Sequence, residues 1–211
     1  MPAYFTIDFQ YKKSDIKDNT VRDFFGNLLT CGLVYKGGYW KSQNDTLNEI
    51  LLWNQQKLEE DYVLGYKEHV GNGFKQMLFQ FYSFSEVRLI INNSSSHDSF
   101  SFYLIIPEDD FLEYGERKGT RQIIRLQNKM DIIEKLALQM WKIGYMSCIQ
   151  TSWECSGCAT DIHDIAKGIE PLIEPFAIVS EELFKKGWKC EFKKVDRNGI
   201  VLKNNNNWLH I

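Results

Sequence analysis

The stretch Glu86-Val87-Arg88-Leu89-Ile90-Ile91-Asn92 and, beyond Asn93-Ser94-Ser95-Ser96-His97-Asp98, the stretch Ser99-Phe100-Ser101-Phe102-Tyr103-Leu104-Ile105-Ile106 decide the fold. Both apolar runs read as strands. The polar loop between them is too long for a two-residue turn and suits a hairpin tip. Just upstream, the run from Phe74 to Phe84 sets Met77, Phe79 and Phe81 on one side, interrupted by Leu78 on the other. Consecutive strands with short polar connections and no crossover helix make an antiparallel sheet.

Working outward, Tyr4-Phe5-Thr6-Ile7-Asp8-Phe9-Gln10-Tyr11 alternates Phe5, Ile7, Phe9 and Tyr11 against Tyr4, Thr6, Asp8 and Gln10, the pattern of a half-buried strand. Asn19 or Thr20 caps a helix that places Val21, Phe24, Phe25, Leu28 and Leu29 on one face, and Gly32 stops it. Leu33 to Trp40 reads as a strand broken at Gly37-Gly38. Asp45 or Thr46 opens a second helix with Leu47, Ile50, Leu51, Trp53 and Leu58, and glycines 65, 71 and 73 mark a loop after it.

Downstream the period changes. From Arg121 to Ile143, the residues Ile124, Met130, Ile133, Leu136, Ala137 and Met140 recur at three- and four-residue spacing, which predicts the longest helix of the chain, ended by Gly144. Tyr145–Trp153 returns to strand. Asp161–Lys167 forms a turn or two of helix stopped by Gly168, and Phe176–Val179 forms a short strand. Ser180 caps a helix over Glu181–Lys186. Trp188–Val195 and Ile200–Lys203 flank the hairpin turn Asp196-Arg197-Asn198-Gly199. There is no internal repeat and no long Pro- or Ser-rich linker. At 211 residues the chain suits one core. The expectation is one α+β domain over residues 1–211, a mostly antiparallel sheet with helices on one face and the Arg121–Ile143 helix as its main packing partner.

Composition bounds the function. The net charge of −3 gives no global attraction to nucleic acid or anionic membrane. No stretch approaches the ~20 apolar residues of a membrane span. The N-terminus lacks the basic region and long apolar run of a signal peptide. The five cysteines, an odd number, fit free thiols in a reducing cytosol.

Three clusters carry possible chemistry. Trp153-Glu154-Cys155-Ser156-Gly157-Cys158, followed by His163, supplies two thiolates and an imidazole. A structural zinc site needs four ligands, and the fourth would come from Cys148, Cys190 or a residue with no sequence signature. A redox pair needs its first thiol at a helix N-terminus, and a nucleophilic cysteine needs a base and an oxyanion site. The simpler reading is a tight turn at a strand end, packed against Trp153. Glu108, Asp109, Asp110, Glu113 and Glu116 form an acidic run after the strand ending in Ile106-Pro107. No histidine or second carboxylate motif accompanies it, so a surface for a basic partner is favoured over catalysis. Arg117, Lys118, Arg121, Arg125 and Lys129 then invert the sign, and pairing with the acidic run accounts for them. Gly37-Gly38-Tyr39-Trp40-Lys41-Ser42 lacks phosphate-loop spacing. His69, His97 and His210 have no Ser, Cys or Asp arrangement that specifies a triad. No cofactor is expected.

The strand Tyr4-Phe5-Thr6-Ile7-Asp8-Phe9, the helix after it, Gly38-Tyr39-Trp40-Lys41-Ser42 and the helical Thr46-Leu47-Asn48-Glu49-Ile50-Leu51-Leu52-Trp53-Asn54 resemble the small α+β immunity proteins of bacterial polymorphic-toxin systems. The resemblance covers roughly the first 55 residues. It implies a cytoplasmic, non-enzymatic protein that binds a cognate toxin domain and blocks its active site, with no catalytic residues to transfer. The competing expectation is a zinc-binding or thiol-based enzyme built on Cys155, Cys158 and His163.

Overall fold

A computed structural model describes residues 3–40, 43–60, 73–93, 98–117 and 120–204. Lys41, Ser42, Gly65, His69, Gly71, residues 94–97, Lys118 and His210 lie outside them. The first strand, β1 (Tyr4–Lys12), is followed by helix α1 (Thr20–Thr30), edge strand β2 (Val34–Gly38) and helix α2 (Leu47–Glu59). Strands β3 (Met77–Gln80), β4 (Val87–Asn93) and β5 (Ser99–Pro107) then return as an antiparallel meander. A separate hairpin, β6 (Leu112–Arg117) with β7 (Thr120–Arg125), leads into α3 (Gln127–Ile143). Strand β8 (Cys148–Ser152), the short helix α4 (Ile162–Ala166), β9 (Phe176–Ser180), β10 (Glu191–Val195) and β11 (Gly199–Lys203) complete the chain. The main sheet has nine strands in the order β10-β11-β9-β8-β1-β5-β4-β3-β2. All its ladders are antiparallel. The molecule is α+β, as expected.

The alternation read in β1 sets the layers. Phe5, Ile7 and Phe9 are fully buried and Tyr11 nearly so, on the face that receives α1, α2 and α3. Phe24 of α1 stacks on Phe102 with ring centroids 4.0 Å apart, and Tyr11 stacks on Phe100 at 5.1 Å. Burying a large apolar side chain contributes roughly 1.5–3 kcal/mol, and here the side chains interlock through these ring pairs. The opposite face carries a second apolar cluster of Cys148, Ile162, Ile165, Ile173, Ala177, Val179, Leu183, Ile200 and Leu202. Helix α4 belongs to this cluster, so three helices share one face and the fourth sits on the other. Among the described residues no helix is long and apolar enough to cross a membrane.

Local signals acted as read at several points. Thr46 caps α2 in a capping box: its Oγ1 accepts from the Glu49 N–H at 3.3 Å, and Glu49 Oε2 accepts from the Thr46 N–H at 2.7 Å. Gly32, after α1, takes a left-handed φ of 95°. Asp161 caps α4 through the His163 N–H at 2.8 Å, and Gly168 follows with φ 105°.

Elsewhere nonlocal pairing overrode the pattern. The expected Arg121–Ile143 helix starts six residues later, because residues 120–125 pair with the acidic strand before them, Glu116 opposite Arg121 and Glu113 opposite Ile124. Ile124, read as part of the helical stripe, is 47% exposed. The stripe from Met130 to Met140 is buried as expected, joined by Trp141. The Phe74–Phe84 strand shrinks to Met77–Gln80, and Phe81 and Phe84 instead close a turn through Tyr82 at φ 47°. No helix follows Ser180. The Glu181 N–H is bound to Asn198 O at 2.7 Å, which commits the backbone to a turn, and Phe184 packs on Trp188 and Phe192. Strand β10 begins at Glu191 rather than Trp188.

The last hairpin docks on α3. Its two left-handed residues are Arg197 (φ 55°) and Asn198 (φ 52°). Gly199 serves close approach instead: a Cβ there would lie 2.3 Å from Trp141 Nε1. The Arg197 guanidinium donates to the carbonyls of Trp141 and Gly144, a cation where the helix C-terminus favours one. Both sheet edges are blunted. Strand β2 has a bulge between Tyr35 and Gly37, and four of the five residues of β10, including Lys193 and Lys194, face solvent.

With Leu136 1% exposed, Leu136→Ala is expected to cost about 2–5 kcal/mol in urea unfolding. Ile124→Thr should change stability by no more than about 0.5 kcal/mol. Comparable losses for the two would mean that residues 120–125 are buried against the core after all.

Candidate functional site

The acidic run is divided by the fold. Residues Glu108–Phe111 form a three-ten turn directly after β5, anchored by fully buried Phe111, whose ring meets Phe5 at 4.7 Å and Phe84 at 5.3 Å. Two of its carboxylates tie loops together. Glu108 Oε1 accepts from the Glu154 N–H at 2.7 Å, and Asp110 Oδ2 accepts from the Ser85 N–H at 2.8 Å and hydroxyl at 2.9 Å. Asp109 and Glu113 are exposed, and Glu116 lies on β6, opposite Arg121 in the backbone register.

Beside this turn, β8 ends at Trp153 and enters a three-ten turn, Glu154–Ser156. Ser156 closes it: the Trp153 N–H donates to Ser156 Oγ at 3.0 Å, and that hydroxyl donates back to Trp153 O at 2.8 Å. Trp153 is buried under Arg125, whose guanidinium lies 4.5 Å from the ring centroid. Burial weakens the Arg125 hold on its proton, while Glu174 and Glu108 nearby strengthen it. Cys155, Cys158 and His163 are all exposed, and all five thiols are free. Among the described residues, no three His, Cys, Asp or Glu side chains are placed to hold a metal ion. Cys148, a proposed fourth ligand, is fully buried in the outer apolar cluster, and burial pushes its thiol well above the usual range.

A third set has no sequence signature. The Arg88 guanidinium, on the outer face of β4, lies between Tyr4 at 4.7 Å and Tyr39 at 4.5 Å, and its Nε pairs with Glu86 at 2.6 Å. Tyr39 in turn tilts onto Trp40, with centroids 5.2 Å apart. Trp40 is 66% exposed and holds φ 54°, a conformation costly for a bulky residue. Since Tyr4 pairs with Pro107, and the Glu108 N–H binds Ala3 O at 2.9 Å, one strip runs from the acidic turn through Tyr4, Arg88 and Tyr39 to Trp40.

Next to the strip on the same sheet face lies a buried polar layer. Gln10 Nε2 donates to Asp8 Oδ2 at 2.8 Å and to Thr160 O at 3.1 Å. Gln150 Nε2 donates to Thr160 O at 2.7 Å, and Gln150 Oε1 accepts from the N–H groups of Thr160 and Leu172. Burial raises Asp8 from 3.8 to about 7, aided by the Asp161 charge and opposed by Gln10 and Ser101.

No protein-family model, no curated protein and no solved structure matches this chain.

Asp110→Ala is expected to lower stability by roughly 0.5–1.5 kcal/mol through loss of the Ser85 anchor. Glu113→Ala, at an exposed position, should leave it nearly unchanged, which thermal melting will check. Cys155 and Cys158 should react with an aromatic disulfide reagent in the native protein, and Cys148 only on unfolding. Fast labelling of Cys148 in the native state would contradict its burial.

Proposed function

We propose that this chain binds a protein and acts as a toxin-neutralising immunity protein, occupying the active site of a cognate bacterial toxin domain in the cytoplasm. The observation that supports this reading is the strip from the Glu108–Asp110 turn to Trp40. It combines an acidic end, held in place by Phe111 and the Ser85 anchor, with a Tyr–Arg–Tyr–Trp array that ends in an exposed indole. Trp, Tyr and Arg dominate binding energy at protein interfaces, and an acidic margin steers a basic partner. A toxin acting on nucleic acid needs basic residues around its active site to hold the phosphate backbone, so this charge order fits one. The resemblance of residues 1–55 to immunity proteins points the same way.

The roles separate by position. Asp109 and Glu113 govern encounter. Trp40 and Tyr39 govern residence, because their apolar area leaves water only once the complex forms.

The experiment looks for a toxin domain encoded beside the gene for this chain, co-expresses the two and scores growth, then measures binding of the purified pair. Asp109→Lys with Glu113→Lys should slow association about tenfold at low ionic strength, and less at high. Trp40→Ala should speed dissociation by a factor set by about 2 kcal/mol or more. Absence of both growth rescue and complex would overturn the proposal.

A further inference from the structure

We infer that Asp8 is held in the folded chain as a neutral carboxylic acid, and that its proton latches the Cys158–Asp161 segment onto the sheet. Asp8 is on the outer face of β1, the middle strand, and is 2% exposed. Directly across the ladders are Tyr103 of β5 and Gln150 of β8, and Gln10 is its neighbour on the same face. Oδ2 receives the Gln10 amide. Oδ1 and Gln10 Oε1, both fully buried, have no partner in hydrogen-bond geometry among the described residues, although the Ser101 hydroxyl lies close enough to favour the charged form. Gln10 Oε1 lacks a donor, and a carboxylate beside it cannot supply one. A protonated carboxyl can.

The surroundings favour the neutral form. Among the described residues no cation contributes to the field at Asp8, and burial without a counter-charge disfavours the anion. The titratable groups facing it are Asp161 at the α4 N-cap, Tyr103 of β5 and Cys148 of β8; Cys158 lies near Tyr103. Burial holds Tyr103 and Cys148 uncharged at neutrality by raising both. The Asp161 charge also opposes ionisation of Asp8. A second negative charge at Asp8 is therefore repelled.

The latch runs through Gln10. Its amide bridges Asp8 and the Thr160 carbonyl, and Gln150 grips the same carbonyl, so the sheet holds the segment that leads from Cys158 into α4. When Asp8 ionises, its charge draws the Gln10 amide away from Thr160 and repels Asp161. The segment loosens, carrying exposed Cys158 with it. The sign follows from the raised acid: the folded state holds more protons than the unfolded one between pH 3.8 and about 7. The stabilisation is full at the acid end, is lost as pH rises through that window, and changes no further above it.

The test is amide hydrogen exchange of residues 158–166, corrected for the intrinsic pH dependence, together with the infrared band of protonated carboxyl. From one pH unit below neutrality to one above, protection should fall about tenfold, and the band should titrate near neutrality. Asp8→Asn, uncharged and of the same shape, should lack the band and remove the pH dependence. Asp161→Asn preserves the cap and should move the band's midpoint to lower pH. Protection that still falls with pH in Asp8→Asn, or a midpoint unmoved in Asp161→Asn, overturns the inference. The second variant decides the matter if the first does not fold.

Discussion

The structure depends on where β1 lies. Its alternating side chains form two sets, and the strand occupies the centre of a nine-stranded sheet. Phe5, Ile7, Phe9 and Tyr11 meet the three large helices. The alternate set, Tyr4 to Gln10, falls on the face that a surface sheet would leave wet. Here the loop from Trp153 to Pro175 and the short α4 cover part of that face, so Asp8 and Gln10 enter the interior although their pattern is that of an exposed flank. Buried polar groups must find partners. Gln150 is held by the N–H and the carbonyl of Thr160 and by the Leu172 N–H, whereas Asp8 and Gln10 keep acceptors outside hydrogen-bond geometry.

The uncovered part of the same face carries the strip. Arg88 is 5% exposed, yet its charge is balanced by Glu86 and its plane lies between two phenol rings. A guanidinium tolerates such a site because it is weakly hydrated and stacks well. It acts as a rigid spacer between strands far apart in sequence. The Glu108 and Asp110 hydrogen bonds hold the adjoining turn, so the exposed carboxylates project from a fixed frame.

Much of this was legible in the sequence wherever the cause was local. The alternation of β1, the Thr46 cap, and the stopping glycines 32 and 168 all act within a few residues. What the sequence hid was nonlocal. Residues 120–125 carry a helical spacing, but a charged strand just upstream offers a full ladder of backbone hydrogen bonds, and the ladder wins. Ser180 has the chemistry of a cap, yet its neighbour is held by the far side of a hairpin. The acidic run was visible as composition, while its division into tethers and exposed charges depends on which loops come near. Tyr4, Tyr39 and Arg88 are brought together only by the strand order, and no window of sequence contains all three.

The two edges of the sheet bear on how another molecule can approach. Many extended peptides are recognised by adding a strand to an open edge. Here one edge is interrupted by a bulge beside paired glycines, and the other presents lysines on a short strand. Neither offers a straight, uncharged row of N–H and C=O groups. Addition of a strand from another molecule is thereby disfavoured at both edges. The same geometry disfavours templating between copies of the chain, so an extended sheet can be kept without open edges that would invite self-pairing.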